Sequence, residues 1–329
     1  MCYGKNNRTR LTESDCQTRH GLGRYLVVVL ISIFPSSLYA ISESDLADIC
    51  EAMEQAIVDI AVDYEWDTGP TPPIEERRDT SDTFTVGPKK IFWAIKRPFG
   101  ERALFNQSFT TVDRFNVKAE QQMMLGYDGK VAKHLTRAKA TGSDRFVGLG
   151  TISASKRFNP HLSETPAAFS VLRCGMDREG IPIYERLRKA GFARLTEGVE
   201  IINGFTSVGV DFLRNVPDFP GNHKQPYLRV YFAVDHAYTP VRYQFLEPSA
   251  NGPKESILLD VQSLERCADG VWFPSKGTIS MAQRGTVGTY SASKITLNQG
   301  LTDDDFTIEF PPELKVMDKI AGVTYVVKP

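Results

Sequence analysis

Few side chains in this sequence stand at a spacing that chemistry would need. Asp235-His236 sets a carboxylate beside an imidazole, a pairing that serves acid–base work, but it falls at a turn signal and reads as a solvated turn residue. Asp303-Asp304-Asp305 could offer oxygens to a hard cation only if they converged at ligand distance; a solvated turn that starts a helix or strand accounts for the run. Cys50, Cys174 and Cys267 have no neighbouring base or metal partner in sequence and read as small buried apolar residues. Trp66, Trp93 and Trp272 could line a ligand cavity or simply fill a core. His134, His161 and His223 share no metal-binding spacing with His236. Gly148 and Gly150 lack the third glycine and following helix of a dinucleotide loop. There is no nucleophile elbow, zinc-helix motif, paired C-x-x-C or phosphate loop. The expectation is no catalytic residue, no metal and no cofactor.

The charge balance points the same way. Thirty-nine Lys and Arg against 40 Asp and Glu give 329 residues a formal net charge of −1. No basic surplus exists to neutralise phosphates, so nucleic acid is not an expected partner. A 41% apolar, 24% charged composition excludes a disordered, collagenous or polytopic membrane chain. Five cysteines are too few for a disulfide scaffold.

Residues 1–40 read as a signal peptide. Lys5, Arg8, Arg10, Arg19 and Arg24 precede the uncharged run Tyr25 to Phe34, Pro35 breaks it, and Ser36-Ser37-Leu38-Tyr39-Ala40 ends in a small residue. The run is too short for a membrane span, which needs about 20 residues. Cleavage near Ala40 and a periplasmic or secreted location are expected. That leader carries five basic and two acidic residues, which leaves 34 and 38 in the remainder. In an oxidising compartment a pair among Cys50, Cys174 and Cys267 could form a disulfide, and spacing does not select one.

The rest, 41–329, opens with a helix. Ser42 to Asp45 has capping-box spacing, and Leu46, Ile49, Cys50, Met53 and Ile57 follow at helical intervals. The period then changes to two. Val58, Ile60, Val62, Tyr64 and Trp66 alternate with Asp59, Ala61, Asp63, Glu65 and Asp67, which predicts a strand with one dry and one mostly acidic face. Similar runs recur, among them Tyr227 to Val234, Val241 to Phe245, Ile257 to Val261, Val271 to Phe273, Thr289 to Leu297 and Phe306 to Phe310. Asp128-Gly129 and Asn203-Gly204 are hairpin turn signals. Roughly ten or eleven strands with short links predict an antiparallel meander. A helical piece between Pro182 and Gly191 sits in an insertion at about 158–195.

The fold class expected is α+β and β-dominated. A curved antiparallel sheet, an unclosed β-barrel, forms a single domain over 41–329, and the N-terminal helix and the helical insertion cover its concave face. Such a face either packs a complete core or leaves a hollow for an apolar ligand. Val62, Tyr64, Trp66, Val230, Phe232, Tyr243 and Phe245 are the candidates to line that hollow, and Leu46, Ile49 and Met53 form the stripe of a lid helix.

The order of these parts resembles the outer-membrane lipoprotein carrier (LolA-like) superfamily, especially its large exported members. The resemblance is carried by the export signal, the capped helix, the Val58–Trp66 strand, the Met124–Leu135 hairpin, Tyr227–Val234, Val241–Leu246, Asp269-Gly270-Val271-Trp272-Phe273-Pro274 and the closing Asp305-Phe306-Thr307-Ile308-Glu309-Phe310-Pro311. It covers about two thirds of 41–329. It implies a half-barrel holding lipid or lipoprotein acyl chains. The chain is longer than a typical carrier through 69–83 and 158–195, and no single residue matches the carrier's internal lid arginine. Two other classes stay open: an envelope sensor or interaction module on the same fold, with envelope proteins as partners, and a hydrolase with a dispersed polar site. A continuous apolar tunnel is the mark of the carrier. A filled core with an exposed apolar patch is that of the interaction module, and two inward carboxylates would mark the enzyme.

Overall fold

The computed structural model describes residues 41–67, 84–97, 102–113, 116–154, 182–215, 224–247, 249, 252–267, 270–281 and 286–329. Residues 1–40, expected as a signal peptide, residues 69–83, Cys174 and most of the expected insertion at 158–195 fall outside them. Ile41–Pro329 forms one unit.

Helix α1 (Glu43–Ala56) starts where the capping box sets it. Asp45 N–H donates to Ser42 Oγ at 3.2 Å, while Ser42 N–H and its hydroxyl donate back to the Asp45 carboxylate at 3.2 and 2.7 Å. Those bonds from Ser42 hold the Asp45 carboxyl below its usual range. Ile57 ends the helix in an extended conformation, and the alternating sequence takes over. Helix α2 (Ile183–Arg188) follows Pro182 and lies against α1, where Arg188 donates to Asp48 at 2.6 Å and Glu51 at 2.5 Å.

The strands are β1 (Asp59–Asp67), β2 (Phe84–Lys96), β3 (Arg102–Val112), β4 (Lys118–Tyr127), β5 (Ala132–Ala140), β6 (Val147–Ser153), β7 (Ala193–Leu195), β8 (Glu200–Ile202), β9 (Phe205–Asn215), β10 (Lys224–Ala233), β11 (Thr239–Glu247), β12 (Lys254–Arg266), β13 (Trp272–Met281), β14 (Thr286–Leu297), β15 (Lys315–Asp318) and β16 (Val323–Val326). All sixteen belong to one curved, unclosed sheet. Its order is β16-β15-β6-β5-β4-β3-β2-β1-β14-β13-β12-β11-β10-β9-β7, with β8 paired to β9. Two meanders, β1–β6 and β9–β14, are joined by the antiparallel pair β1–β14. The Asn203-Gly204 turn between β8 and β9 has φ of +51° and +90° at its two residues, as a tight hairpin of this hand requires.

Register fixes a continuous inner face. Val62 lies beside Trp93 of β2 and Trp93 beside Phe105 of β3; on the other side Trp66 lies beside Tyr290 of β14. Val230 lies between Val210 and Tyr243. These residues join Leu46, Ala47 and Cys50 of α1 and Ile183 and Leu187 of α2 in one apolar cluster.

Three details depart from the alternation pattern. First, Asp59 does face away from Ile60, but it is only 1% exposed. The loop after β14 closes over it, and its carboxylate accepts the N–H groups of Gln299, Gly300 and Leu301 at 2.8, 3.0 and 3.2 Å. Second, Phe306 to Phe310 is not a strand. A 3-10 turn at Asp303–Phe306 leads into an extended segment that crosses the outer face. There Phe306 and Ile308 are buried over Gly126, where a Cβ would sit 2.6 Å from the Phe306 carbonyl oxygen. Third, the sheet is longer than ten or eleven strands. Beyond Phe310 the chain adds the hairpin β15–β16, with β15 parallel to β6. Leu314 and Val316 there bury with Leu135 and Ile308 in a small outer core.

Candidate functional site

The candidate hollow residues come together, and they are packed. Val62, Tyr64, Trp66, Val230, Phe232 and Tyr243 are buried in the inner cluster, and Phe245 is half-buried against it. Small residues opposite large ones let the rings interlock. A Cβ on Gly288 would lie 2.1 Å from the Trp66 ring, and one on Gly277 would lie 2.5 Å from the Tyr290 hydroxyl. Burial raises the Tyr64 phenol well above its ordinary range; burial and the charge of Asp260 do the same to Tyr290. Both are neutral phenols in a dry core.

In the lid helix, Leu46 is fully buried, whereas Ile49 and Met53 are half-buried. The buried stripe is Leu46, Ala47 and Cys50, rotated toward the sheet; α2 packs beside α1. Met53 instead lines a cleft with Ile57, Tyr184, Pro240 and Trp272. The cleft is about 30 Å³, room for a water molecule and not for an acyl chain.

Open apolar surface lies further along the same inner face. From β4 outward the strand registers align Met123 and Leu125 of β4, Val147 and Leu149 of β6, Met317 of β15 and Val326 of β16 on the side that carries Trp93 and Phe105. Met123 and Leu125 are half-buried at the margin of the core. Val147 and Leu149 are 72% and 42% exposed, Met317 and Val326 40% and 59%. Between them on the same side stand Thr136 of β5, flanked by Met123 and Leu149, His134 beside Leu125 with its Nε2 3.1 Å from the Thr136 hydroxyl, and Lys315 of β15, flanked by Leu149 and Val326. The result is an exposed strip of apolar side chains interrupted by polar ones, beginning at the margin of the core. Sequence reasoning passed over it because β6 has two glycines, and β15 and β16 find their neighbours only through a parallel pairing.

Apart from His134, the polar candidates lie on other elements. His236 Nδ1 lies 2.8 Å from the Asp235 carboxylate, and its ring meets Phe205 and Trp272 edge-on, so it is half-buried against aromatics and not a free turn residue. The three aspartates diverge. Asp303 pairs with Arg102 at 2.5 Å, Asp305 accepts from Thr302 N–H and Oγ1 at 2.6 and 2.9 Å, and the Asp304 carbonyl accepts from Thr307. Cys50 is buried and Cys267 half-buried; burial, with the charge of Glu265, pushes the Cys267 thiol up to about 11. Among the described residues no group of His, Cys, Asp and Glu could hold a metal ion.

Buried charge sits on the outer face and is internally satisfied. Asp211 accepts from Arg229 Nε at 2.6 Å and from Arg194 at 3.2 Å, and Asp260 accepts from Arg242 at 2.6 and 2.9 Å. On that face Arg137 donates to Gln122 and Gln122 to Asn106, at 2.7 and 3.2 Å. These are ladders of cross-strand partners, with their carboxylates neutralised by arginine.

No family model matches the sequence, and no curated protein is similar to it. Solved structures that align with the chain include a DUF1329 family protein from Desulfovibrio piger ATCC 29098, with a TM-score of 0.42, 11% identity, 81% of this chain covered and 98% of that one. Another is a domain described as an outer membrane lipoprotein-sorting protein from Vibrio parahaemolyticus, with a TM-score of 0.41, 12% identity and coverage of 79% and 95%. A third is the lipoprotein LppX of Mycobacterium tuberculosis, with a TM-score of 0.21, 10% identity and coverage of 80% and 98%. At these scores the likeness carries no functional argument, which rests on the side chains.

Proposed function

We propose that the chain is an exported, non-catalytic binding protein that holds an acyl chain, the lipid of a lipoprotein included, on the inner face of its sheet. The observation that carries this reading is the set of exposed apolar side chains from Met123 to Val326, on the face that elsewhere packs the core. An acyl chain gains about 0.8 kcal/mol for each methylene buried, so the apolar side chains of this strip supply the affinity without a dedicated polar contact. The core under α1 and α2 is full, so the ligand lies along the open part of the face and not in a tunnel behind the helices. Export is supported by the leader pattern of residues 1–40. The non-catalytic reading is supported by the partners of His236, Asp303 and Asp305, which use them structurally.

The test is titration with a fluorescent fatty acid and competition by unlabelled chains of increasing length. Saturable binding at one site is expected, with longer chains competing better. Leu149→Asp should weaken binding about tenfold, the equivalent of about 1.4 kcal/mol, without changing the melting temperature. Absence of saturable binding for every acyl chain overturns the proposal. The interaction-module reading draws on a separate observation, the exposed edge of the sheet at β16.

A further inference from the structure

β16 is the last strand of the sheet and has no neighbour on its outer side among the described residues. Native proteins commonly blunt such an edge with charge, proline or a bulge. Here the edge reads Val323-Thr324-Tyr325-Val326, all four exposed, with no charged residue and no proline from Ile320 to Val327. Ile320, Val323 and Tyr325 present apolar surface at 53%, 51% and 42% exposure.

The ladder fixes which backbone groups this edge offers. Val327 N–H donates to the Leu314 carbonyl at 2.9 Å, and the Val327 carbonyl accepts from Glu313 N–H at 2.8 Å. Backbone direction alternates along an antiparallel ladder. Val323 and Tyr325 therefore bond toward β15, and Thr324 and Val326 turn their N–H and C=O groups outward. The same alternation sends Lys319 N–H toward β6, where it donates to the Ile152 carbonyl at 2.9 Å.

We propose that a second copy of this chain pairs with that edge, β16 against β16, antiparallel about a two-fold axis normal to the sheet. Such an axis keeps each face on its own side, so only residues facing the same way can oppose one another. Setting the outward residues against each other places Thr324 opposite Val326 of the second copy, and each such pair exchanges two hydrogen bonds. Tyr325 then meets its own counterpart on the axis, and Val323 meets Val327. Lys328 falls opposite Gly322, so no like charges are opposed. This self-match favours a second copy over an unrelated extended peptide. It also sets the Val326 and Met317 side chains of the two copies on one inner face.

The test is sedimentation velocity on the purified protein between about 1 and 200 µM, the range suited to an interface this small. A monomer–dimer equilibrium is expected. Val326→Pro removes an outward N–H and no bond to β15; it should abolish the dimer while the far-ultraviolet spectrum and melting temperature hold. Tyr325→Lys and Tyr325→Glu should each be monomeric, and an equimolar mixture of the two should restore a heterodimer. A parent that stays monomeric throughout, or a dimer that survives Val326→Pro, overturns the proposal. So does a parent dimer whose lysine and glutamate variants fail to pair on mixing. None of these readouts depends on lipid binding.

Discussion

Replacing Asp59 tests how the two halves of the sheet are tied at their seam. Its carboxylate is 1% exposed and accepts three backbone N–H groups from residues 299–301. Beside it Asn298 locks the end of α1 to the start of β1: its Oδ1 accepts from Val58 N–H at 2.7 Å and its Nδ2 donates to the Ala56 carbonyl at 2.9 Å. A hydrogen bond to a charged group contributes about 1.5–3 kcal/mol. Three such bonds set an upper bound, and Gln299 and Gly300 are exposed enough for water to replace part of the loss. Asp59→Ala should therefore cost about 3 kcal/mol, and Asp59→Asn, which keeps one acceptor oxygen, about half that. For a domain of this size the alanine variant should melt about 5 °C lower. The assay is urea unfolding followed by tryptophan fluorescence, with hydrogen exchange to locate the effect. The amides of 299–301 should lose protection first in the variant. If Asp59→Ala unfolds within about 0.5 kcal/mol of the parent and those amides keep their protection, the carboxylate is not what holds the loop, and the reasoning fails.

Two further outcomes follow from the packed inner face. Gly288→Ala drives a methyl into the Trp66 ring and should cost about 1–3 kcal/mol, with a shift in tryptophan emission; an unchanged midpoint would mean that the core has room to spare. The raised phenols of Tyr64 and Tyr290 predict alkaline instability. A folded pKa above the unfolded one gives stability that is complete below about pH 10 and is lost as pH rises beyond it, by about 1.4 kcal/mol per unit for each phenol. Urea midpoints measured on either side of pH 10 should fall accordingly, and Tyr64→Phe should fall less steeply than the parent. Equal slopes for the two proteins would contradict the assignment.

The local features were legible in sequence because each is decided by neighbours a few residues apart. The Ser42–Asp45 capping box, the alternation of Ile60, Val62, Tyr64 and Trp66, and the Asn203-Gly204 turn all stand where their side-chain types require. Even the errors kept the correct parity. Asp59 does face away from Ile60, and Phe306 and Ile308 do share one buried side. Parity, however, says which way a side chain faces and not what covers that face. Asp59 is buried by a loop 240 residues later, and Phe306 and Ile308 lie over Gly126 instead of pairing at an edge. The exposed apolar strip and the β16 edge were out of reach for the same reason. They exist because β15 runs parallel beside β6, a contact between segments more than 160 residues apart. Residue spacing alone determined the capped helix, the strand texture and the apolar face; long-range packing decided that the middle of that face is solid and its far end open.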